Sequence, residues 1–341
     1  MASHRRPKQA SKARVSVLTI AAGAAVVLSG QAANAAPAKP SKQDVKEKID
    51  HLYHEAEVAT EKYNGAKEQH EKLQKQVEDL QDKVAREQSE LNKLQSSLGS
   101  LASAQYRSGG LDPSLQLFLS SDPDDYLEKA SALDQISAKQ AEAIKRIGEQ
   151  KRELSQQRAE AASKLRQLEK TRKQLAENKR EIQAKLKKAQ ALLNTLTEEE
   201  RAAALGETRA SRAGNQRVDL GNAVPASQRA AAALAAAKTK LGAPYVWGAT
   251  GPNSFDCSGL TSWAYAQAGA SIPRTSQAQA SAGTRLSMSQ LQPGDLVLFY
   301  SDLHHVGLYA GNGQILHAPK PGAVVRYESI NNMPFQFGVR I

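Results

Sequence analysis

From Val45 the apolar positions of the chain step by four and three residues: Val45, Ile49, Leu52, Ala56, Ala59 and onward to Leu101, with polar exceptions at His70 and Glu87. A repeat averaging 3.5 residues over this length predicts a coiled-coil seam. Ser108-Gly109-Gly110, Asp112-Pro113 and Asp122-Pro123 break the helix, and Leu115, Leu117, Phe118 and Leu119 form an apolar patch inside the break, placed at 107–125. The repeat resumes at Ile144 and runs to Leu196, with Lys151, Arg158, Arg172 and Lys179 read as cationic seam positions. Two helices of similar length predict either an antiparallel hairpin or pairing with another copy or another protein. Residues 41–205 are thus read as coiled coil, and the Arg, Ala, Gly and Asn of 206–225 as a flexible linker.

The pattern changes at residue 226. Helices are expected at 230–241 and 258–268, each closed by a glycine. Short strands are expected at 296–300, 306–310, 314–318, 324–329 and 335–340. Helices first and strands later predict an α+β domain with an antiparallel sheet over 226–341, long enough for one independent core.

Charged residues make up 24% of the chain and aromatics 5%, as a long solvated helical region requires. The formal charge is +11; Arg5, Arg6, Lys8, Lys12 and Arg14 supply five of those positives, and without them +6 remains. No basic cluster is interleaved with aromatics, so no nucleic-acid partner is expected. The basic start precedes an uncharged apolar run over 15–29 and then Ala33-Asn34-Ala35. That is the form of a signal peptide cleaved after residue 35, and the run is short of the ~20 residues that span a bilayer. The expected location is secreted, extracellular or associated with the cell wall.

Export changes the reading of Cys257, the single cysteine. It cannot form an internal disulfide, and is either a buried filler or a reactive thiol. It opens a predicted helix, where exposed N–H groups favour thiolate. His305 heads a predicted strand in Leu303-His304-His305-Val306, and alternation puts His304 and His305 on opposite faces. The turn Gly311-Asn312-Gly313 brings His317 onto the neighbouring strand, within reach of His305. A thiol, a base and an orienting group point to nucleophilic catalysis. Zinc binding by the same three residues is the alternative, although a fourth ligand is missing.

The stretch Gly242-Ala-Pro-Tyr-Val-Trp-Gly through Asp256-Cys257-Ser258-Gly259-Leu260 resembles the signature of the NlpC family of cell-wall cysteine peptidases. So do Ile272-Pro-Arg-Thr-Ser-Gln277, Leu291-Gln-Pro-Gly-Asp295, His305-Val-Gly-Leu-Tyr309 and His317-Ala-Pro319, in order. The resemblance implies a papain-like fold, no cofactor or metal, and hydrolysis of peptidoglycan stem peptides between D-glutamate, through its γ-carboxyl, and the next diamino acid. It assigns Cys257 as nucleophile, His305 as base and His317 as orienting group. Tyr245 is implied as an oxyanion support or a buried aromatic. Asp256 and Ser258 are implied as substrate contacts, or as a helix cap and a first-turn residue. Glycan–peptide amidase and acyl transferase are other chemistries for the same fold, and a wall-binding scaffold is the non-enzymatic alternative. The N-terminal region resembles peptidoglycan hydrolases that dock on an FtsEX-type membrane complex, which would make such a complex, or another part of the membrane divisome, the partner and give the coiled coil a role in regulation or docking.

Overall fold

The computed structural model describes residues 41–107, 123–206 and 218–341. The expected leader, the apolar segment at 115–119 and most of the expected linker lie outside these residues. Among the described residues no helix is long and apolar enough to cross a membrane.

Two helices dominate the N-terminal part: α1, Lys42–Arg107, and α2, Pro123–Leu193. At ~1.5 Å per residue each is about 100 Å long. They pair antiparallel, since Glu55 meets Lys185, His70 meets Thr171, and Glu87 meets Gln157. The seam predicted for α1 is the buried one: Val45, Ile49, Ala56, Ala59, Leu73, Val77 and Leu91 are all below 9% exposed.

In α2 the predicted register is corrected. Lys151, Arg158, Arg172 and Lys179 are exposed, and Gln157 and Thr171, each one residue earlier, face α1 instead. Gln157 and Thr171 are buried at 6% and 3%, between the apolar layers of Leu154 and Ile182. One heptad position of α2 is therefore apolar and the other polar. Gln157 donates to Glu87, and Thr171 is hydrogen-bonded to His70 at 3.1 Å, so the polar layers pair with polar partners on α1. A cation one residue away keeps its charge in water at no cost, which is why the structure prefers this register.

A short helix, α3, Glu198–Ala204, carries a capping box between Thr197 and Glu200. The last residues of the expected linker are fastened down: Asn312 donates to the Asp219 carbonyl, and Leu220 packs on the C-terminal core. That core belongs to an α+β domain of papain-like type with helices α4, Gln228–Lys238, α5, Cys257–Gln267, and α6, Ser276–Gln279. Six antiparallel strands follow: β1 Thr284–Leu286, β2 Leu296–Phe299, β3 His305–Gly311, β4 Gln314–His317, β5 Arg326–Ser329 and β6 Phe335–Arg340. Their order in the sheet is β1-β6-β2-β3-β4-β5. Strand β1 and helix α6, each only three or four residues long, carry too little periodicity to be read from sequence. Leu296, Leu298, Val306, Leu308 and Leu316 join α4 and α5 in one core, while Val297, Phe299 and Ile315 pack in a second cluster with Leu286, Leu291 and Ile330. Alternation along the strands gives the sheet two apolar faces.

The corrected register predicts that Ile182→Ala lowers unfolding free energy by about 2–5 kcal/mol, through a cavity at a fully buried seam position. Arg172→Ala and Lys179→Ala should each change it by less than about 0.5 kcal/mol. Chemical denaturation of the full chain measures both; equal losses at the three sites would restore the cationic register.

Candidate active site

Asp256 caps α5 through a 2.6 Å bond from the Gly259 amide, so Cys257 is the first residue of the helix. Gly259 has no room for a side chain: a Cβ there would lie 2.1 Å from the Ala249 carbonyl oxygen. This close approach holds the first turn of α5 against the preceding loop. The Cys257 sulfur donates to the His304 carbonyl at 3.7 Å, which sets the head of β3 beside it.

His305 and His317 are both about 1% exposed. His305 Nε2 lies 2.8 Å from His317 Nδ1, and His317 Nε2 lies 3.2 Å from Glu328 Oε2. Gly307 is the neighbour of His317 across the strands, with space for no more than a tight Cβ contact at 3.1 Å. The missing side chain leaves room for the diagonal pair of rings. Glu328 is held by Arg326 at 2.8 Å, and its carboxyl lies well below the ordinary carboxylate range. Burial opposes that shift; the hydrogen bond and charge of His317, with those of Arg326, outweigh it. Burial pushes His317 down to about 4, so its ring is neutral near pH 7.

These contacts fix the tautomers. The ionised Glu328 accepts the Nε2 proton of His317. The Nδ1 of His317 is then a lone pair and accepts from His305 Nε2–H. The remaining nitrogen of His305, Nδ1, is left with a lone pair, and it has no hydrogen-bond partner. The arrangement makes Nδ1 a proton acceptor. Glu328, the end of this chain, was not among the residues singled out from sequence; an acid in a short strand offers no spacing signal.

The other expected site residues lie here too. Tyr245 is buried in the same core cluster as Cys257, and burial, then the Glu57 carboxylate, push its phenol well up. The Asp256 carboxylate is occupied by Gly248 N, Gly259 N and Arg274 as well as by Asn64 of α1. The Ser258 hydroxyl accepts from Arg274 and donates at 2.7 Å to Glu61, again of α1.

Helix α1 therefore enters the site. Its seam faces α2, and an adjacent face carries Glu57, Glu61 and Asn64, buried at 8%, 3% and 2%. Glu61 accepts from Ser258 Oγ, Ser276 N and Ser276 Oγ at 2.7, 2.7 and 3.1 Å, and its Oε1 lies 3.9 Å from the Cys257 sulfur. One turn earlier, Glu57 Oε1 lies 3.4 Å from His305 Nδ1. The spacing of four sets one carboxylate against the thiol and the other against the imidazole. Burial, then the negative charge of Glu61, push the Cys257 thiol well above its usual range. The thiolate expected at a helix N-terminus is thus opposed as long as α1 covers it. Tyr63 packs edge-on to Trp247, and Lys320 bonds Asp50 of α1 and the Ala204 carbonyl, extending the contact to both sides.

Residues 242–339 match the NlpC/P60 family. A probable endopeptidase of Corynebacterium glutamicum is 56% identical over 118 residues, 35% of this chain and 56% of that protein. The probable endopeptidase p60 of Listeria monocytogenes is 50% identical over 100 residues, 29% of this chain and 20% of that protein. The solved NlpC/p60 domain of the peptidoglycan hydrolase SagA is 41% identical, with a TM-score of 0.32, over 33% of this chain and 98% of that one. The chain spans about half the length of the first of these curated relatives.

The buried acid gives a pH prediction. Burial, then the charge of Asp256, raise Glu61 from 4.5 to about 7 while α1 is docked. The docked form therefore holds the proton more tightly than the undocked form. Docking is strongest below about pH 4.5, weakens by up to about tenfold per unit as pH rises towards 7, and levels off above that. Amide exchange at Ser276, whose N–H donates to Glu61, corrected for intrinsic rates, should show this loss of protection, and Glu61→Gln should flatten it. The same slope in Glu61→Gln would sink the assignment to this carboxyl.

Proposed function

We propose, from the premise that its C-terminal domain belongs to the NlpC/P60 family, that the protein is a peptidoglycan endopeptidase working by a cysteine mechanism. Cys257 attacks the amide carbonyl as His305 Nδ1 takes its proton. Amide N–H groups at the start of α5, with Tyr245, stabilise the oxyanion. The leaving amine receives the proton from His305, and a thioester remains on Cys257. His305 then activates water, and hydrolysis frees the carboxylate and the thiol. His317 and Glu328 hold His305 in the tautomer that leaves Nδ1 basic. Asp256 and Ser258 contact substrate once α1 has left. The observation that carries this reading is the His305–His317–Glu328 chain ending on an unpaired Nδ1 at the head of the strand beside Cys257. The bond cut is the one between D-γ-glutamate and the diamino acid. The leader sends the protein to the cell surface, where that substrate lies.

In this reading α1 holds the enzyme latent. Glu61 occupies the groups around the thiol, and Glu57 faces the base. Release falls to a partner acting on the helical hairpin, for which an FtsEX-type membrane complex is the candidate that the N-terminal resemblance names.

Mass spectrometry of digested muropeptides tests the chemistry. Cys257→Ala and His305→Ala should each abolish release of peptide fragments, since the two act as a unit. Glu328→Gln should lower kcat by about 10- to 100-fold with the fold intact, by loosening the tautomer. Digestion at the parent rate by Cys257→Ala would refute the mechanism, and cleavage at the glycan–peptide bond would make the protein an amidase. Latency has its own variant. Glu61→Lys sets a cation against Arg274 and removes the hydrogen bonds to Ser258 and Ser276, so the full chain should hydrolyse wall at least about tenfold faster. An unchanged rate would leave α1 without an inhibitory role.

A further inference from the structure

Beside the thiol and its histidines lies a second group of donors that the mechanism does not use. His54 of α1, Asp302 and His304 each offer a ligand atom, and these atoms all lie within 4.8 Å of one another. Among the described residues this is the one such cluster of three. His304 Nδ1 is 2.5 Å from Asp302 Oδ1, and the His54 ring meets the His304 ring edge-on at 4.2 Å. Tyr300 stacks on the other side of His304 at 4.3 Å and fixes its plane.

A second observation points to a cation. His304 Nε2 and Glu57 Oε1 are buried without hydrogen-bond partners. Glu57 Oε2 lies 3.6 Å from that Nε2, too far for a hydrogen bond. A metal-bound histidine normally gives its other ring N–H to a carboxylate, which orients the ring and raises its basicity. Glu57 stands in that position. A cation on the Nδ1 side of His304 would polarise Nε2–H towards Glu57 and compensate a carboxylate that is now buried with no hydrogen bond to one of its oxygens. A cleft of about 370 Å³, lined by His54, Glu57, Tyr300 and His305 among others, opens the region to solvent.

We propose that His54, Asp302 and His304 form a site for a zinc-type divalent ion that clasps α1 onto the catalytic domain, with Glu57 as its outer-shell carboxylate. Two imidazoles and one carboxylate, with water in the fourth position, suit Zn²⁺ and its neighbours; Ca²⁺ and Mg²⁺ prefer all-oxygen sets. One ligand comes from α1 and two from the loop that precedes β3, so the site is complete only while α1 is docked. By linkage, the metal favours the docked form: at free zinc of about 100 times Kd the docking equilibrium shifts by about a hundredfold. The site itself does not depend on the peptidase reading; its effect on activity does.

The test uses the full-length mature chain without an affinity tag, in a Cys257→Ser background so that the thiol cannot supply affinity. Zinc titrated against a chromogenic chelator should bind at one equivalent. His54→Ala should abolish this binding, and Asp302→Asn should weaken it at least about tenfold. In the chain that retains Cys257→Ser but has the native clasp, zinc should also slow amide exchange at Ser276, whose N–H donates to Glu61 of α1, and in His54→Ala it should not. His54 lies within a long helix where alanine is favourable, so the variant keeps its fold. Stoichiometric zinc binding that survives His54→Ala, or no binding at micromolar zinc, overturns the site. His54-dependent binding that leaves exchange unchanged overturns the clasp. None of these outcomes bears on whether Cys257 cleaves wall peptides, which the muropeptide assay decides by itself.

Discussion

The structure turns on one interaction, the burial of the Glu61 carboxylate against Ser258 and Ser276 beside the Cys257 sulfur. An ionised carboxylate removed from water costs several kcal/mol unless hydrogen bonds replace the lost hydration. Ser258, Ser276 and Asn64 supply such bonds here. Its neighbour one turn away is not so well placed, because Glu57 Oε1 finds no hydrogen bond. The docked face of α1 is thus held by good polar geometry at Glu61 and strained electrostatically at Glu57. It is a contact that can be tipped: protons favour it through Glu61, and a cation would favour it through Glu57 and His304.

That contact needs a helix with two buried faces. On α1, Ile49, Ala56, Ala59 and Leu73 turn to α2, while Glu57, Glu61 and Asn64 turn to the catalytic domain. The apolar seam supplies the rigidity. Because α2 takes the seam, α1 does not need the catalytic domain to remain helical, and its second face can afford carboxylates where a globular helix would bury leucine. The polar layers of α2 at Gln157 and Thr171 lower the gain from each heptad but fix which residues meet, since slipping by one position would strand them against apolar partners.

The C-terminal domain was legible because its chemistry sits in contiguous motifs. Cys257 opens a helix, His305 begins a strand and His317 ends the next one, and a Gly-Asn-Gly turn joins those strands. Glu328 was not legible: it reaches His317 only through the pairing of β4 with β5, which puts Ile315 opposite it. The register of α2 was misread because the cations one residue beyond Gln157 and Thr171 fit a 3.5-residue count equally well; only the apolar positions constrain that count, and here they occupy one heptad position in two. The docking face of α1 left one trace. Glu57 and Glu61 are like charges four residues apart, a pair that weakens a solvated helix, and neither bonds a lysine or arginine on its own helix. The zinc alternative weighed on Cys257, His305 and His317 could not reach His54, which lies some 250 residues away in sequence and joins His304 only through the docking of α1.

Occupancy by a segment of the same chain has a quantitative consequence. A tethered occupant competes at an effective concentration on the order of millimolar or more. Soluble peptide at micromolar levels cannot displace it, since Glu61 already engages Ser258 and Ser276. Nor can α1 peel away residue by residue, because the residues that plug the site alternate along the helix with those locked into α2. Tyr53, Ala56 and Ala59 are buried among Asp50, His54, Glu57 and Glu61. Exposure of the thiol therefore requires the hairpin to leave as a unit, breaking the Lys320–Asp50 ion pair and the Tyr63–Trp247 ring packing in the same step as the bonds to Glu61. Several weak interactions that must break together make a steep transition out of parts that are individually modest; on the proposed peptidase reading, control then lies in whatever moves the helical pair rather than in the concentration of the peptide to be cut.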